Sequence, residues 1–440
     1  MHPLLRLAYS AAGGVARLLT RVAPADGSGG KLARSLGARR GVIDRFETWG
    51  HSTSGRDHAR PLLWMHAPSV GEGLQARPVL QLARQLRPDI QLAYTFFSPS
   101  AEAFSRGLDV DFTDYLPFDT AEDARRALGA LTPSVLVFSK LDLWPMLCAE
   151  ADALGVALAL ISGTVSAASS RRGGVATALL RDAYGRLDAA GAISDDDAAR
   201  LLALGAPRDV VSVTGDTRYD QVWERAQRVD RSSPLLAPLA SERPTMVAGS
   251  TWPADEAVLL SAWLDVRRAV PTARLIIAPH EPNEAHLAPI ERWGRENSLS
   301  LARLGTIEAS GADVVLVERV GVLGDLYSLA TAAYVGGGFH DAGLHSVLEP
   351  AAFGAPVAFG PRNRNSRDAA LLEEHDGGAT VRNRHDVDDV FTRWLGNISA
   401  ARAAGDNARA LVAQGRGGAE RSWSLIERLL PSPTARPRNS

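Results

Sequence analysis

The sequence predicts an α/β protein of two lobes, each built on an open parallel β-sheet. The chain has 440 residues, whereas a single hydrophobic core stops growing at about 250–300 residues. Short runs rich in Val, Ile and Leu alternate with loops and helical patterns, which is typical of βα units whose strands are buried on both faces. These runs form two consecutive series of similar size, so we expect two domains.

The first series defines a predicted first lobe, residues 31–225. Its apolar runs have the length of buried parallel strands. They are residues 62–66, 90–97, 135–139, 156–162, 189–193 and 210–214.

The second series defines a predicted second lobe, residues 240–430. A polar stretch with Ser232, Ser233, Pro234 and Pro238 separates it from the first, as expected of a domain boundary. Its runs are residues 245–248, 274–278, 314–317, 332–335 and 356–359. Residues 431–440 are rich in Pro and Arg and are predicted to be a disordered tail.

Composition narrows the range of functions. A formal net charge of −2 gives no basic surface of the kind that binds nucleic acid, so we expect no nucleic-acid partner. The single cysteine, Cys148, excludes an intramolecular disulfide and fits a reducing compartment. It lies in an apolar run, which favours a buried, inert thiol over a nucleophile.

The N-terminal segment, residues 1–30, alternates leucines with Arg6, Arg17 and Arg21. It is too interrupted to span a bilayer, which needs about 20 mainly apolar residues, and its arginines are misplaced for a signal peptide. One interpretation is an amphipathic helix on a membrane surface, with arginines at anionic headgroups. The other is a helix packed on its own domain.

In parallel sheets, ligands bind outside the carboxyl ends of the strands, so the loops after the apolar runs are the candidate sites. The loop after His66 contains Ser69, Gly71, Glu72 and Gly73. Its glycines permit close approach to the backbone, and the next helix offers unpaired N–H groups. Glu72 is either a general base or an acid that stabilises the helix N-terminus.

Two loops of the second lobe carry polar candidates. Ser250 and Thr251 follow a strand, and their hydroxyls could bind a phosphate or cap the next helix, which begins near Asp255 and Glu256. His280 stands between two prolines at the end of the next strand, so we expect its side chain to have a fixed direction.

The most informative stretch, residues 334–340, places Gly336, Gly337 and Gly338 directly after a strand. We interpret these glycines as leaving the loop backbone open to a ligand, with the N-terminus of the following helix directed at it. Glu349 in that helix is suitably placed to accept both hydroxyls of a ribose. The polar loop 362–367 could close over a nucleotide.

A series of motifs runs along nearly the whole chain. In chain order they are WMHAPSVGEGLQARP, TFFSPSAEAF, YLPFDT, FSKLDLWP, SVTGDTRYD, AGSTWPADE, IIAPHEP and YVGGGFHDAGLHSVLEPAAFGAPVAFGP. Together they resemble a known family, the 3-deoxy-D-manno-octulosonic acid (Kdo) transferases of lipopolysaccharide synthesis. The resemblance implies a GT-B fold with two lobes facing a central cleft, inverting transfer from CMP-Kdo to a lipid A precursor (lipid IVA), and peripheral attachment to the cytoplasmic face of the bacterial inner membrane.

The resemblance also implies roles for individual residues. Ser69, Gly71 and Lys140 are expected to bind the acceptor, and Glu72 and Asp142 are the candidate catalytic bases. The expected donor-binding residues are Ser250, Thr251, His280, Gly337, Gly338 and Glu349.

Three positions depart from the family pattern. Ala38 stands where many members carry a glutamate that is proposed as the base, Lys140 stands where many carry an acidic residue, and Ser346 replaces a common asparagine.

No cluster with metal-ligand spacing is evident, so we predict no metal and no cofactor. Two alternatives stay open: a GT-B enzyme for another nucleotide sugar or acceptor, and a homologue that binds ligands but has lost its base.

Overall fold

The computed structural model describes residues 9, 13–14, 31–165, 180–341 and 343–432, with the side chains of residues 31–34 left out. The chain divides into two compact units. The first comprises Met1–Gln221 and Arg416–Ser440, and the second comprises Val222–Gly415. Each has its own sheet and hydrophobic core.

The first unit contains a sheet of seven parallel strands in the order β3-β2-β1-β4-β5-β6-β7. Its central strands are buried along their whole length, which explains their mainly apolar sequences. The strands are β1 Leu62–His66, β2 Gln91–Phe96, β3 Phe112–Tyr115, β4 Val135–Ser139, β5 Ala157–Gly163, β6 Ala189–Ala192 and β7 Val211–Val213.

Helices form crossover connections between these parallel strands. The described helices of this part are α1 Lys31–Ala38, α2 Val42–His51, α3 Val70–Leu86, α4 Glu102–Ser105, α5 Ala121–Leu131, α6 Pro145–Ala153, α7 Asp195–Leu204 and α8 Thr217–Arg228. The chain passes into the second unit within α8.

The second unit contains another sheet of seven parallel strands, in the order β10-β11-β9-β8-β12-β13-β14. Alternate residues of β8 enter opposite faces: Met246 and Ala248 join one core cluster and Val247 joins the other. The strands are β8 Thr245–Thr251, β9 Arg274–Pro279, β10 Leu301–Arg303, β11 Val314–Leu316, β12 Ala332–Val335, β13 Val357–Phe359 and β14 Gly378–Thr380. The helices are α9 Pro253–Ala269, α10 Glu284–Glu296, α11 Leu323–Leu326, α12 Leu348–Ala352, α13 Arg367–Glu374, α14 Arg384–Gly396 and α15 Ile398–Gln414, followed by α16 Gly418–Glu427.

Each sheet has a point where the direction of winding reverses. In the first sheet β1 lies between β2 and β4, and in the second β8 lies between β9 and β12. Loops that leave neighbouring strands there run in opposite directions and open a crevice at the carboxyl edge. The polar loops singled out in the sequence follow β1 and β4 in one sheet and β8, β9, β12 and β13 in the other.

The last helix departs from the sequence prediction. We predicted residues 240–430 to be one lobe, yet α16 belongs to the first unit. Its apolar face supplies Ala419, Trp423 and Ile426 to the core of that unit, and Asp220 accepts hydrogen bonds from the Gly417 and Ala419 amides, at 2.7 and 2.9 Å. A local sequence pattern identifies the amphipathic helix but not the surface that receives it.

The remaining segment predictions are tested only in part. Cys148 is a buried free thiol whose pKa is raised by burial. No helix among the described ranges is both long and apolar enough to cross a bilayer. Most of the predicted N-terminal segment, and residues 433–440 of the predicted tail, lie outside the described residues.

Candidate active site

In the first unit, the loops after β1 and β4 meet through three of the predicted residues. The Ser69 hydroxyl donates to one carboxylate oxygen of Glu72, and Lys140 Nζ lies 3.1 Å from the other. Burial opposes ionisation of Glu72, but the Ser69 hydrogen bond and the Lys140 charge outweigh it and lower the pKa of the carboxyl group. Glu72 is thus a stable carboxylate with both oxygens engaged.

The two glycines of the first loop have different surroundings. Gly71 is exposed, and a Cβ there would find its nearest neighbour at 3.8 Å. At Gly73 a Cβ would lie 2.5 Å from the Phe104 ring and 2.7 Å from the Tyr94 hydroxyl. Gly71 therefore leaves its backbone exposed, whereas Gly73 is required by packing.

Asp142 lies two residues beyond Lys140 and has different partners. The Trp144 indole N–H donates to Asp142 Oδ2 at 3.1 Å, and the buried His66 Nε2 lies 3.5 Å from the same oxygen. The side chain of Asp142 is 24% exposed. The carboxylate is therefore oriented by an aromatic donor while part of it reaches solvent.

Two described residues of the N-terminal segment contact the same edge of the first unit. Tyr9 donates its hydroxyl to Asp119 Oδ2 at 2.8 Å, and a Cβ at Gly13 would lie 3.0 Å from the Thr120 methyl group. Asp119 also accepts the amides of Met146 and Leu147 at the start of α6. Tyr9 and Gly13 therefore lie against the first unit, whereas the rest of the segment, apart from Gly14, lies outside the described residues.

In the second unit, Ser250 and Thr251 do not form the pair of ligand-facing hydroxyls that we predicted. Ser250 adopts a left-handed backbone with φ 54° and is partly exposed. Thr251 is only 1% exposed, and its hydroxyl donates to Glu256 Oε1 at 2.8 Å. A direct ligand contact by Thr251 is therefore a wrong prediction, because the kink at Ser250 turns the next side chain into the protein.

The glycine-rich loop after β12 also differs from the prediction. A Cβ at Gly336 would lie 2.2 Å from the Ser250 carbonyl oxygen, and one at Gly338 would lie 2.4 Å from the Gly360 amide nitrogen. A Cβ at Gly337, which has φ 93°, would lie 2.2 Å from the Gly343 carbonyl oxygen. These glycines make room for the backbones of neighbouring loops, so the expectation of a loop left bare for a ligand is wrong.

The amides of this loop are used inside the protein. The Gly336 N–H donates to the Gly249 carbonyl at 2.9 Å. The N–H groups of Gly337 and Phe339 donate to the Asp255 carboxylate, at 2.8 and 3.2 Å. Asp255, which we had noted only as an acid near the start of a helix, is the anchor of the loop.

Aromatic rings cluster beside Asp255 at the carboxyl edge of the sheet. The Trp252 ring stacks on His340, with centroids 4.3 Å apart and 3° between planes, and on His280 at 4.7 Å. Its indole N–H donates to His345 Nε2 at 3.2 Å. Burial and the neighbouring His280 lower the pKa of His345 to about 4, so its ring is neutral near pH 7. His280 is thus one ring of this cluster, and its contact with the donor stays a prediction.

Glu349 lies in the first turn of α12, in a different environment. Burial raises its pKa, although the charge of Arg225 opposes the shift. The nearby charge of Asp325 adds to the rise. The carboxyl group in turn raises the pKa of the buried Tyr327, whose hydroxyl lies against Gly249 in β8. No described side chain donates a hydrogen bond to this carboxyl group.

The loop after β13 is tied to the glycine-rich loop. The Arg362 amide donates to the Gly338 carbonyl at 2.8 Å, and Asn365 exchanges two hydrogen bonds with the backbone of Leu344. The predicted polar loop 362–367 is thus fixed beside the site by its own backbone contacts.

Among the described residues, one group could place three ligand atoms around a metal ion. His385, Asp388 and Asp389 lie on one largely exposed face near the start of α14, with their ligand atoms within 4.8 Å of one another. The group departs from our prediction that the sequence contains no cluster with metal-ligand spacing, although exposed acidic groups of this kind are common without a metal ion.

Comparison with known proteins identifies relatives of this chain. A family model described as "3-Deoxy-D-manno-octulosonic-acid transferase (kdotransferase)" matches residues 35–221. The 3-deoxy-D-manno-octulosonic acid transferase of Bordetella pertussis is 29% identical over 87% of this chain and 92% of its own length. That of Chlamydophila psittaci is 28% identical over 91% of both chains.

A solved structure supports the architecture. UDP-GlcNAc 2-epimerase from Neisseria meningitidis, bound to UDP-GlcNAc, superimposes with a TM-score of 0.60 over 84% of this chain and 99% of its own, at 13% identity. At that identity the likeness concerns the fold alone, which is the two-sheet GT-B type. The family model over residues 35–221 and the relatives that align over about nine-tenths of the chain make it similar to the 3-deoxy-D-manno-octulosonic acid transferases, a family of glycosyltransferases.

Proposed function

We propose that the protein transfers Kdo from CMP-Kdo to a lipid A precursor, lipid IVA, with inversion at the anomeric carbon. The observation that carries this proposal is the alignment with named Kdo transferases over about nine-tenths of the chain. Similarity to that family implies a sugar-nucleotide donor and a lipid acceptor. The identity of the two substrates and the roles of individual residues are part of the proposal.

We assign the donor to the second unit. The crevice beside β8 and β12 has the position at which nucleotides bind in doubly wound sheets. Glu349 is the candidate ligand of the ribose hydroxyls, since it accepts no hydrogen bond from a described side chain. Ser250 and His280 are the candidates for contacts with the phosphate and the sugar, whereas Gly337 and Gly338 shape the loop that carries His340.

We assign the acceptor to the first unit, where Gly71 exposes backbone beside Ser69 and Lys140. The charge of Lys140 suits an acidic group on the acceptor. Its side chain is 43% exposed and remains available to a ligand while it contacts Glu72.

The chemical step follows from these assignments. The acceptor hydroxyl oxygen forms a bond to the anomeric carbon of Kdo, and the bond from that carbon to the phosphate oxygen breaks, with its electron pair leaving on CMP. The transition state resembles an oxocarbenium ion. The hydroxyl proton passes to a carboxylate, and we assign that role to Asp142.

Asp142 is preferred over Glu72 for a physical reason. Both oxygens of Glu72 are engaged and its pKa is lowered, so it holds the loop and Lys140 in place and is a weak proton acceptor. Asp142 is oriented by Trp144 and is partly exposed. In this assignment Asp142 takes over the task of the glutamate that Ala38 replaces, and neither a metal nor a cofactor takes part.

We further propose a peripheral location on the cytoplasmic face of the inner membrane. Its support is the alternation of leucines and arginines in residues 1–24. Sedimentation with vesicles of phosphatidylethanolamine and phosphatidylglycerol tests it: the full chain should sediment with the vesicles and a chain beginning at residue 31 should bind less. Equal binding of the two would contradict the assignment of the segment.

The activity is tested with purified protein, CMP-Kdo and a tetra-acylated lipid A precursor. We expect mass spectrometry to show a product heavier by one or more Kdo residues. Competition by CMP, UDP and GDP distinguishes the donors, and CMP should compete best. Binding of CMP without turnover on any lipid A precursor would favour a homologue that has lost its base, and preference for UDP or GDP would favour another nucleotide sugar.

A further inference from the structure

The buried carboxylate of Asp255, in the second unit, accepts four hydrogen bonds from described residues. Asp255 is 0% exposed. Oδ2 accepts the Trp252 and Gly337 amides at 2.9 and 2.8 Å. Oδ1 accepts the Tyr334 hydroxyl at 2.8 Å and the Phe339 amide at 3.2 Å.

Such a group is stable only if it is fully satisfied. A buried carboxylate without donors costs several kcal/mol, whereas hydrogen bonds from N–H and O–H groups to a charged acceptor are each stronger than neutral ones. The described contacts of Asp255 include four donors and no Lys or Arg side chain. A neutral side chain of the same shape could not accept all four.

Helix capping alone does not explain this arrangement. The bond to the Trp252 amide is a capping-box contact at the start of α9. The other three donors are 79 to 84 residues away in sequence, in β12 and the glycine-rich loop. The carboxylate therefore joins the two loops that flank the winding reversal of the sheet.

This junction sets the positions of the aromatic rings. The Trp252 and Phe339 amides converge on one carboxyl group, which places Trp252 beside His340, the residue after Phe339. The two rings stack at 4.3 Å because both of their loops are attached to Asp255. The hydrogen bond from Trp252 to His345 depends on the same attachment.

We propose that Asp255 is a positioning residue of the donor site, which holds the glycine-rich loop and the Trp252–histidine cluster in the arrangement that receives the sugar nucleotide. The proposal rests on the proposed function, because it takes the crevice beside β8 and β12 as the donor site. Asp255 is buried beneath the loop and acts through it.

Asp255→Asn tests the proposal, with Asp265→Asn as the matched control. Asn keeps the shape but replaces one acceptor oxygen with an NH2 group that faces two N–H or O–H donors. Asp265 is in the same helix, and its carboxylate pairs with Arg268 and Arg384 at the surface. For Asp255→Asn we expect the KM for CMP-Kdo and the Kd for CMP to rise by about tenfold or more, with the KM for the lipid acceptor unchanged within about twofold. Asp265→Asn should match the parent protein.

Tyr334→Phe provides a second variant if Asp255→Asn does not fold. It removes one donor and leaves three amide donors, so the KM for CMP-Kdo should rise by a smaller factor with the acceptor KM unchanged. A lowered unfolding temperature with unchanged Kd for CMP, measured well below that temperature, would mean a purely structural role and overturn the proposal. If the parent protein binds CMP but transfers no Kdo, the proposed function fails, whereas the Kd for CMP still decides the role of Asp255.

Discussion

Glu72 and Asp142 show how the surroundings of two similar side chains separate their roles. The family resemblance, with Ala38 at the usual position of the base, leaves either residue as the candidate base, and both follow a strand at or beside the winding reversal of the first sheet. In the structure, Ser69 and Lys140 engage Glu72, whereas Trp144 orients Asp142 and leaves it partly exposed. Proton transfer requires a carboxylate that can approach the attacking hydroxyl, which favours Asp142.

Replacement of each carboxylate separates these roles in a transfer assay. Asp142→Asn keeps the shape and removes the proton acceptor, so kcat should fall by about 10²- to 10⁴-fold. Glu72→Gln should retain kcat within about tenfold and raise the KM for the acceptor, since it loosens Lys140. The measurement is initial rate against each substrate. Full activity of Asp142→Asn would exclude it as the base.

The neutral ring of His345 makes stability depend on pH. The pKa of His345 falls from the ordinary 6.5 to about 4 because of burial and the nearby His280. Between those values the unfolded chain binds a proton that the folded protein does not, so stability falls as the pH is lowered from 6.5 towards 4. His345→Gln should make the free energy of unfolding, measured with urea, depend less steeply on pH between 6.5 and 4. His385→Gln, at an exposed site, is the control and should keep the slope of the parent.

At the residue scale, the sequence identifies which loops carry chemistry better than it identifies the task of each residue. The loop after β1 supplies Ser69 and Glu72 as candidates and the family resemblance adds Lys140, and the structure brings the three together. The predicted ligand contact of Thr251 is wrong, and the sequence did not indicate that Asp255 anchors the glycine-rich loop. Their partners, Glu256 and the glycine-rich loop, depend on a left-handed kink and on strand order, and neither can be read from the local sequence.

At the scale of elements, apolar runs predict the central strands and miss three of the outer ones. The run at residues 135–139 coincides with β4, and that at 332–335 with β12. The sequence prediction omitted β3, β10 and β14, which lie at the edges of their sheets. Edge strands are partly exposed and short, as in β14 with its Gly-Ala-Thr sequence, so they lack the continuous apolar pattern.

The glycine-rich loop was located correctly, but its glycines serve packing between loops. Gly338→Ala should therefore destabilise the second unit by about 1–3 kcal/mol, since its Cβ would lie 2.4 Å from the Gly360 amide nitrogen. Urea unfolding measures this. Gly311→Ala in the same unit, where a Cβ would meet nothing within 4 Å, should leave stability nearly unchanged. If the two variants were equally stable, the crowding of the loops would not explain the glycines.

At the scale of the whole molecule, the chain enters the second unit within α8 and returns to the first through α16. The first unit therefore depends on residues from both ends of the described chain. Trp423 is 2% exposed in the core of the first unit, and Trp394 is 3% exposed in a core cluster of the second. Each tryptophan reports on one core.

Truncation of each tryptophan tests which unit α16 stabilises. Trp423→Ala should lower the free energy of unfolding by about 3–5 kcal/mol, because it removes buried apolar surface and leaves a cavity. The Trp423 indole N–H has no described hydrogen-bond partner, so no lost hydrogen bond adds to this effect. Hydrogen exchange followed by peptide mass spectrometry should show faster exchange in β1, β4 and β5, with β8 and β9 unaffected. Trp394→Ala should give the reverse pattern. Faster exchange in β8 and β9 after Trp423→Ala would mean that α16 supports the second core, against the division of the chain into these two units.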